Sequence, residues 1–351
     1  MKMKLDLAYV AAKSFGIRGM LIPHSTLEEL AESKSLEDFV DRIRPTLYGP
    51  HLAEVPRPYT PLGLETAFRR HLIDIHYRQM NDAPRPEIIE AYFYRYTASN
   101  LKAILKAKAL NKPYEELLTS LDFYAEALTR VRDEVVRAAA AKDLAEALKE
   151  LKPTFLSAEA DLAVKVWEQK RDLTAFDAVI DKSYYSKLLA AYGKAPRSDR
   201  SDVRPMVALD VDSYTVMTIL RSKLWELTSA ETREFMPDTV FDIDEKSLER
   251  LLAATNVAQA LKELEATAYG KYVPREAGDQ VGLLRMLERA FEDGKYSLAR
   301  RAYTQKISSL AVVLAAVFLK SLEVKNLTVI ATGLAEGLSS TSIAQKLVKA
   351  Q

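Results

Sequence analysis

One amphipathic helix pattern returns along this chain at a spacing near the size of a small domain. The pentapeptide ALKEL occurs at Ala147–Leu151 and again at Ala260–Leu264, 113 residues on. Setting SLEDFVDRIRPTLY (Ser35–Tyr48) over DLAEALKELKPTFL (Asp143–Leu156) matches Leu36, Val40, Ile43, Pro45 and Thr46 to Leu144, Leu148, Leu151, Pro153 and Thr154. A third copy, NVAQALKELEATAY (Asn256–Tyr269), supplies Val257, Leu261, Leu264 and Thr267, with Ala266 where the others have proline. Each copy has one apolar face at helical spacing and a threonine just past its end.

A second, different element keeps the same order. SNLKAILKAKAL carries Asn100, Leu101, Ile104 and Leu105; YTVMTILRSKLW carries Thr215, Val216, Ile219 and Leu220; KNLTVIATGLAEGL carries Asn326, Leu327, Ile330 and Ala331. Further on, Leu117 corresponds to Ile343, after helix-stop residues at Asn111–Pro113 and at Gly337. Freely slid amphipathic helices align by chance, but two elements at a near-constant offset do not. Solenoid repeats run about 20–50 residues, so units of this length are domain-sized. The expectation is an all-α chain of three similar helical-bundle units, 1–122, 123–236 and 237–351, approximating a three-fold ring or funnel.

Strand patterns are nearly absent; TVFDIDEKSL is the best local exception, and there Asp244 can cap a following helix. Loops are expected at GPHLAEVPRPYTPLG, MNDAPRP, GKAPRSDRSDVRP, FMPDTVFDIDE and GKYVPREAGDQ. The most apolar run, LAVVLAAVFL (Leu310–Leu319), ends at Lys320. It is half of the ~20 residues a membrane span needs, and so reads as a buried helix; any membrane link would be peripheral. The N-terminal MKMKLDLAYVAAKSFGIRGML lacks the apolar core of a signal peptide and reads as an ordinary amphipathic helix.

Composition narrows the chemistry. Lys+Arg number 50 against Asp+Glu 49, so the excess basic charge typical of nucleic-acid binding is missing. With no cysteine, disulfides, thiolate catalysis and Cys-ligated zinc are excluded, and a cytoplasmic setting fits. Only 11 glycines are present, with neither GxGxxG nor GxxxxGK[ST], so no cofactor or nucleotide loop is expected. His71 and His76 are five apart on an expected helix and face differently, which suits packing better than metal binding; His24 and His51 stand in no metal spacing. YFYRYTASNL mixes aromatics with Arg95 and reads as a helix burying Phe93 and Tyr96 rather than a base-stacking platform. The acids Asp242, Asp244 and Glu245, and Asp210 and Asp212, precede expected helices, where capping explains them. No catalytic site emerges. Asn100, Arg221 and Asn326 stand among apolar neighbours in the repeated helix, so each needs partners or solvent, and a role tying helices together is expected.

These residues resemble the C subunit of archaeal and bacterial A/V-type rotary ATPases, the counterpart of the d subunit in the eukaryotic vacuolar ATPase. SLEVKNLTVIATGLAEGLSSTSIAQKLV is similar to the family's closing Glu-x-x-Asn-Leu helix through Glu323, Asn326 and Leu327. DVDSYTVMTILRSKLW resembles its Asp-x-x-Asn-x-x-x-x-x-Arg helix through Asp212 and Arg221. AFDAVIDKSYYSKLLAAYG resembles its Asp-x-x-Tyr-Tyr stretch through Asp181, Tyr184, Tyr185 and Leu188, and NLKAILKAKALNKPYEEL its first Asn-Leu helix. Thr215 departs from the family's frequent Asn, Lys106 from its common Arg, and the loop around Pro56–Pro61 has no clear match. The resemblance implies a funnel-like protein with pseudo-three-fold symmetry and no active site, peripheral to the cytoplasmic face of the cell membrane. It would carry torque between central shaft subunits of the D and F type and the membrane proteolipid ring, for proton or sodium transport coupled to ATP synthesis or hydrolysis. Two other readings stay open: an all-α enzyme using Asp177, Asp181 and Asp210 to Asp212 in a pocket between bundles, and a general helical scaffold.

Overall fold

The computed structural model describes residues 6–152, 155, 160–275 and 279–348, and none of these lies in a β-strand. The chain forms two compact units. One unites both chain ends, Met1–Phe93 with Tyr296–Gln351; the other is Tyr94–Lys295.

In the first unit the apolar run folds as expected. The helix Leu310–Ala335 starts at Ser309, whose hydroxyl accepts from the Val312 N–H, and every residue from Leu310 to Lys320 is buried. Helices Leu7–Gly19 and Pro61–Asp82 pack along it. A helix apolar all round must be enclosed on all sides, and here Tyr92 meets Phe318 edge-on at 5.2 Å while Phe68 meets Tyr48 at 5.4 Å. Among the described residues no helix is long and apolar enough to cross a membrane.

The second unit is built on the helices Arg95–Ala109, Thr174–Lys194 and Arg197–Leu224. Leu101, Ile104, Val135, Leu151, Phe176 and Phe235 belong to one continuous core. Three sequence expectations change here. Asp210 and Asp212, expected ahead of a helix as caps, lie inside the helix Arg197–Leu224, because the apolar pattern continues on both sides of them. The stretch GKAPRSDRSDVRP is not one long loop: the break is confined to Ala195–Pro196, and the next helix runs from Arg197 straight through Pro205. Pro196 is extended at the helix start and Asp199 lies in the first turn, where an acid favours the helix dipole; burial of most of the helix from Met206 to Leu220 offsets the missing N–H of Pro205. YFYRYTASNL is likewise two helices, Glu87–Phe93 and Arg95–Ala109, parted at Tyr94, although Phe93 and Tyr96 are buried as expected.

The same local geometry occurs three times. The helices Leu36–Ile43, Leu144–Leu151 and Val257–Glu265 begin at Ser35, Asp143 and Asn256, all extended, with φ of −159°, −148° and −153°. Each cap accepts from the N–H three residues on, at 3.2, 2.9 and 2.9 Å. Asp38, Glu146 and Gln259 reach back to the N–H groups of Lys34, Lys142 and Thr255 at 2.9, 2.7 and 2.9 Å. Each start thus satisfies orphan backbone donors in both directions. The middle copy's Pro153 and Thr154 lie outside the described residues.

The second repeated element ends as regularly. Asn111, Glu226 and Gly337 adopt left-handed φ of 53°, 58° and 68°. The next residue in each case closes a six-residue turn: Lys112 to Ala107, Leu227 to Ser222 and Leu338 to Gly333, at 2.9, 3.0 and 2.9 Å. Short helices Tyr114–Thr119, Ser229–Phe235 and Ser340–Lys346 follow, burying Leu117, Thr232 and Ile343. Glycine at 337 is the residue best suited to this backbone, and no atom lies where its Cβ would stand. Gly337→Ala is therefore expected to cost about 1–2 kcal/mol from backbone conformation alone, read as a lowered urea midpoint at unchanged m-value.

Candidate functional site

The polar residues of the repeated helix are held by the chain that follows it. Asn100 donates to the Asp122 carbonyl at 2.9 Å and to Glu126 at 3.0 Å. Asn326 donates to the Val348 carbonyl at 2.8 Å and accepts from the Val348 N–H at 2.9 Å. Asp122 and Val348 stand at matching places, 22 residues beyond each asparagine. The amide thus pins the segment after the short helix to the long one, and both asparagines are buried. In the middle copy Thr215 cannot reach across, and its hydroxyl instead bonds back to Val211 at 3.0 Å. There the neighbouring Tyr214 hydroxyl takes over, 2.7 Å from the Phe235 carbonyl and 2.8 Å from that of Ala178.

Glu323 and Asp212 occupy equivalent positions three residues before Asn326 and Thr215, and both are buried carboxylates. Glu323 accepts from the Ile22 N–H, from the Tyr48 hydroxyl at 2.7 Å and from Lys320 Nζ at 2.5 Å. The Lys320 ammonium also sits 4.4 Å above the Tyr48 ring. Burial lowers the Lys320 pKa against the pull of Glu323, and raises that of Tyr48 well above its ordinary value. Asp212 accepts from the Phe241 and Asp242 N–H groups at 2.8 and 2.7 Å and from the Tyr269 hydroxyl at 2.7 Å. Burial raises its pKa, opposed by those three donors.

Tyr48 and Tyr269 are the residues that sequence reasoning missed. Each follows a capped repeat helix, and its N–H donates to the threonine hydroxyl just past that helix, at 3.3 Å for Thr46 and 3.1 Å for Thr267. Each precedes a glycine, Gly49 or Gly270, at which a Cβ would collide with the carbonyl of Arg44 or Glu265. The signal available was Thr-x-Tyr-Gly, present as TLYG and TAYG in the first and third copies and replaced by TFLS in the middle one.

Arg221 is different in kind. It is only partly buried and pairs at 3.0 Å with Glu288 of the helix Gln280–Gln305. It belongs to a set of ion pairs lacing the helices of the second unit: Lys102–Asp181 at 2.6 Å, Lys106–Asp177 at 2.7 Å and Lys295–Asp210 at 2.8 Å. Burial raises the Asp181 pKa against Lys102 and lowers that of Lys295 against Asp210. The acids that an enzymatic pocket would have used are therefore each engaged by a lysine, or, for Asp212, by backbone. Among the described residues no group of three His, Asp or Glu side chains could hold a metal ion. His76 is buried with Nε2 3.0 Å from the Ile89 carbonyl, a packing role as expected.

The repeat elements pack in a particular order within each unit. The hairpin containing Leu144–Leu151 lies on the first copy's long helix Arg95–Ala109, and Val257–Glu265 lies on the second copy's helix Arg197–Leu224. Leu36–Ile43, from the first copy, lies on the third copy's helix Leu310–Ala335. Every hairpin thus rests on the long helix of the copy before it, with the first closing on the last.

Such a chain is an all-helical protein whose buried polar groups hold hairpin to long helix. It belongs to the ATP synthase (C/AC39) subunit family, which matches residues 10–346. It is similar to the C subunit of the A-type ATP synthase of Methanocaldococcus jannaschii, 24% identical over 99% of this chain and 88% of the relative. The C subunits from the A-type ATP synthases of Pyrococcus abyssi and Methanosarcina acetivorans are each 26% identical, over 96% and 98% of this chain and 88% and 93% of theirs. The chain is accordingly a rotary ATPase subunit, the class its sequence resembled.

Proposed function

We propose that this chain is the non-catalytic coupling subunit of an A/V-type rotary ATPase, joining the central shaft subunits to the membrane proteolipid ring and carrying torque between them. Its place in this reading is the cytoplasmic face of the cell membrane, held there by its partners. The observation that carries it is the cyclic order of packing, in which each hairpin rests on the preceding copy's long helix. Three like segments, each seated on the long helix of another copy, would suit a socket that grips a rotating axle. The reading includes a pseudo-three-fold, funnel-like form built from three repeat units near 1–122, 123–236 and 237–351. In this reading a lobe would combine segments of neighbouring repeats, and the compact unit that joins Met1–Phe93 with Tyr296–Gln351 supports it.

The lacing ion pairs and amide clamps support a mechanical role. A coupler must transmit force without its helices sliding, and directional bonds between adjacent helices resist shear in a way that apolar packing does not. Coupling through a broad interface spreads the load over many contacts. Native mass spectrometry of the purified chain with shaft subunits and with detergent-solubilised ring tests the reading. A complex with both is expected; binding to neither sinks it, and a solid globule in low-resolution images of the isolated chain sinks the funnel form.

A further inference from the structure

In the second unit the six-residue helix Tyr124–Thr129 is weakly held by its own backbone. No side chain caps its start at Phe123, and it ends on Arg130 at φ 63°, a left-handed conformation unfavourable to any residue with a Cβ. It buries two residues, Ala125 and Glu126. Its larger anchor is therefore a carboxyl group, and Glu126 is fully enclosed.

Glu126 is poorly provided for. Its Oε1 accepts from the Asn100 amide at 3.0 Å, the nitrogen that also serves the Asp122 carbonyl, and its Oε2 has no partner in the protein. The other copies supply their buried acid better: Glu323 has Lys320 and the Tyr48 hydroxyl, and Asp212 has two backbone N–H groups and the Tyr269 hydroxyl. Here the position equivalent to Glu323 and Asp212 is Thr97, so the acid comes from the following segment instead, and the position equivalent to Tyr48 and Tyr269 is Leu156, which has no hydroxyl. Among the described residues no cation pairs with Glu126. On the helix Arg95–Ala109, which packs against it, Lys102, Lys106 and Lys108 are committed to Asp181, Asp177 and the Ala141 carbonyl, and Arg95 acts on Tyr184 and Lys295. On the helix Arg132–Ala140, also packed against it, Arg137 pairs with Glu150 at 3.2 Å, and Arg132, Asp133 and Glu134 make no bond to Glu126. Lys187 stands 5.0 Å over the Tyr94 ring.

We propose that Glu126 is a pH-operated latch: as the neutral acid it holds the helix Tyr124–Thr129 on the helix Arg95–Ala109, and as the carboxylate it lets that short helix go. A buried carboxylate with no cation and one oxygen bare is disfavoured against the neutral acid. Burial accordingly raises the Glu126 pKa above its ordinary 4.5, with its own N–H, Asn100 and Thr97 opposing and the Asp122 charge adding. Tyr94 stays protonated, since burial raises its pKa too, with the Glu126 charge adding. The contribution of the latch is full below 4.5 and declines as pH rises through the raised value. On opening, water takes the proton and solvates the carboxylate, while Asn100 keeps its bond to the Asp122 carbonyl and confines the release to the short helix. This inference does not depend on the coupling role, since it concerns the isolated chain.

Amide hydrogen exchange of the full chain between about pH 5 and pH 8, expressed as protection factors, tests it. Protection of the Ala127–Thr129 amides is expected to fall by about tenfold across that range, the lower end of what an unsatisfied buried acceptor costs. Protection within Arg95–Ala109 should hold, which separates release of the short helix from global unfolding. Glu126→Gln, a neutral side chain of the same shape, is expected to make the Ala127–Thr129 protection independent of pH. The ¹³C shift of the Glu126 carboxyl in the parent reads the same group without a variant, and its midpoint should lie above 4.5. Protection that stays constant in the parent would overturn the proposal. So would a Glu126→Gln protein that loses protection with pH as the parent does, or a carboxyl carbon that titrates at or below the ordinary value.

Discussion

Glu323→Ala is expected to destabilise the protein by about 3–5 kcal/mol, the loss typical when one partner of a buried ion pair is removed. Lys320 and Glu323 are each 3% exposed, so the lysine left behind cannot recover its charge solvation from water. The Ile22 N–H and the Tyr48 hydroxyl lose their acceptor in the same step. Tyr48→Phe removes only one donor and leaves the pair intact, at a cost of about 1 kcal/mol. The double variant Lys320→Met with Glu323→Leu removes both charges together and should recover the part of the loss due to the stranded ammonium, while the Ile22 N–H and the Tyr48 hydroxyl stay without an acceptor. Urea denaturation of the four proteins at one pH checks this ordering. A Glu323→Ala protein as stable as the parent would mean that Lys320 finds another partner or water.

The sequence carried the local chemistry well and the long-range pairing poorly. The buried run at Leu310 and the capping role of Asp244 depend on residues within a few positions of one another, and such short-range rules can be read directly. The asparagine clamp was half legible. Asn100 and Asn326 stood out as polar residues on an apolar face, but their partners at Asp122 and Val348 lie beyond a second helix. Tyr48 was invisible because the group it serves, Glu323, lies 275 residues away. Nor could periodicity say that a hairpin rests on the long helix of the preceding copy, because any amphipathic face satisfies the pattern. The misread loop before Pro205 has a different cause: proline and charge mark a helix start as readily as a break.

Asp212→Ala is expected to cost about 2–4 kcal/mol, less than Glu323→Ala, because it strands donors but no charge. The position equivalent to Lys320 is Leu209, a buried apolar residue, so Asp212 meets its burial with two backbone N–H groups and Tyr269 instead of a cation. Asn cannot substitute, because its amide nitrogen would face one of those donors. The pH dependence follows from the raised pKa. Burial favours the protonated acid in the folded chain, so the contribution of Asp212 is greatest below its ordinary value of 3.8 and declines as pH rises towards the raised one. The stability difference between parent and Asp212→Ala should therefore shrink between about pH 3 and pH 7, and then stay level. Denaturation of both proteins across that range measures it. A difference that grew with pH would mean that the three donors outweigh burial and hold the carboxylate ionised. That result would make Asp212 an anionic anchor for the Phe241–Asp242 turn rather than a buried acid held in place by it.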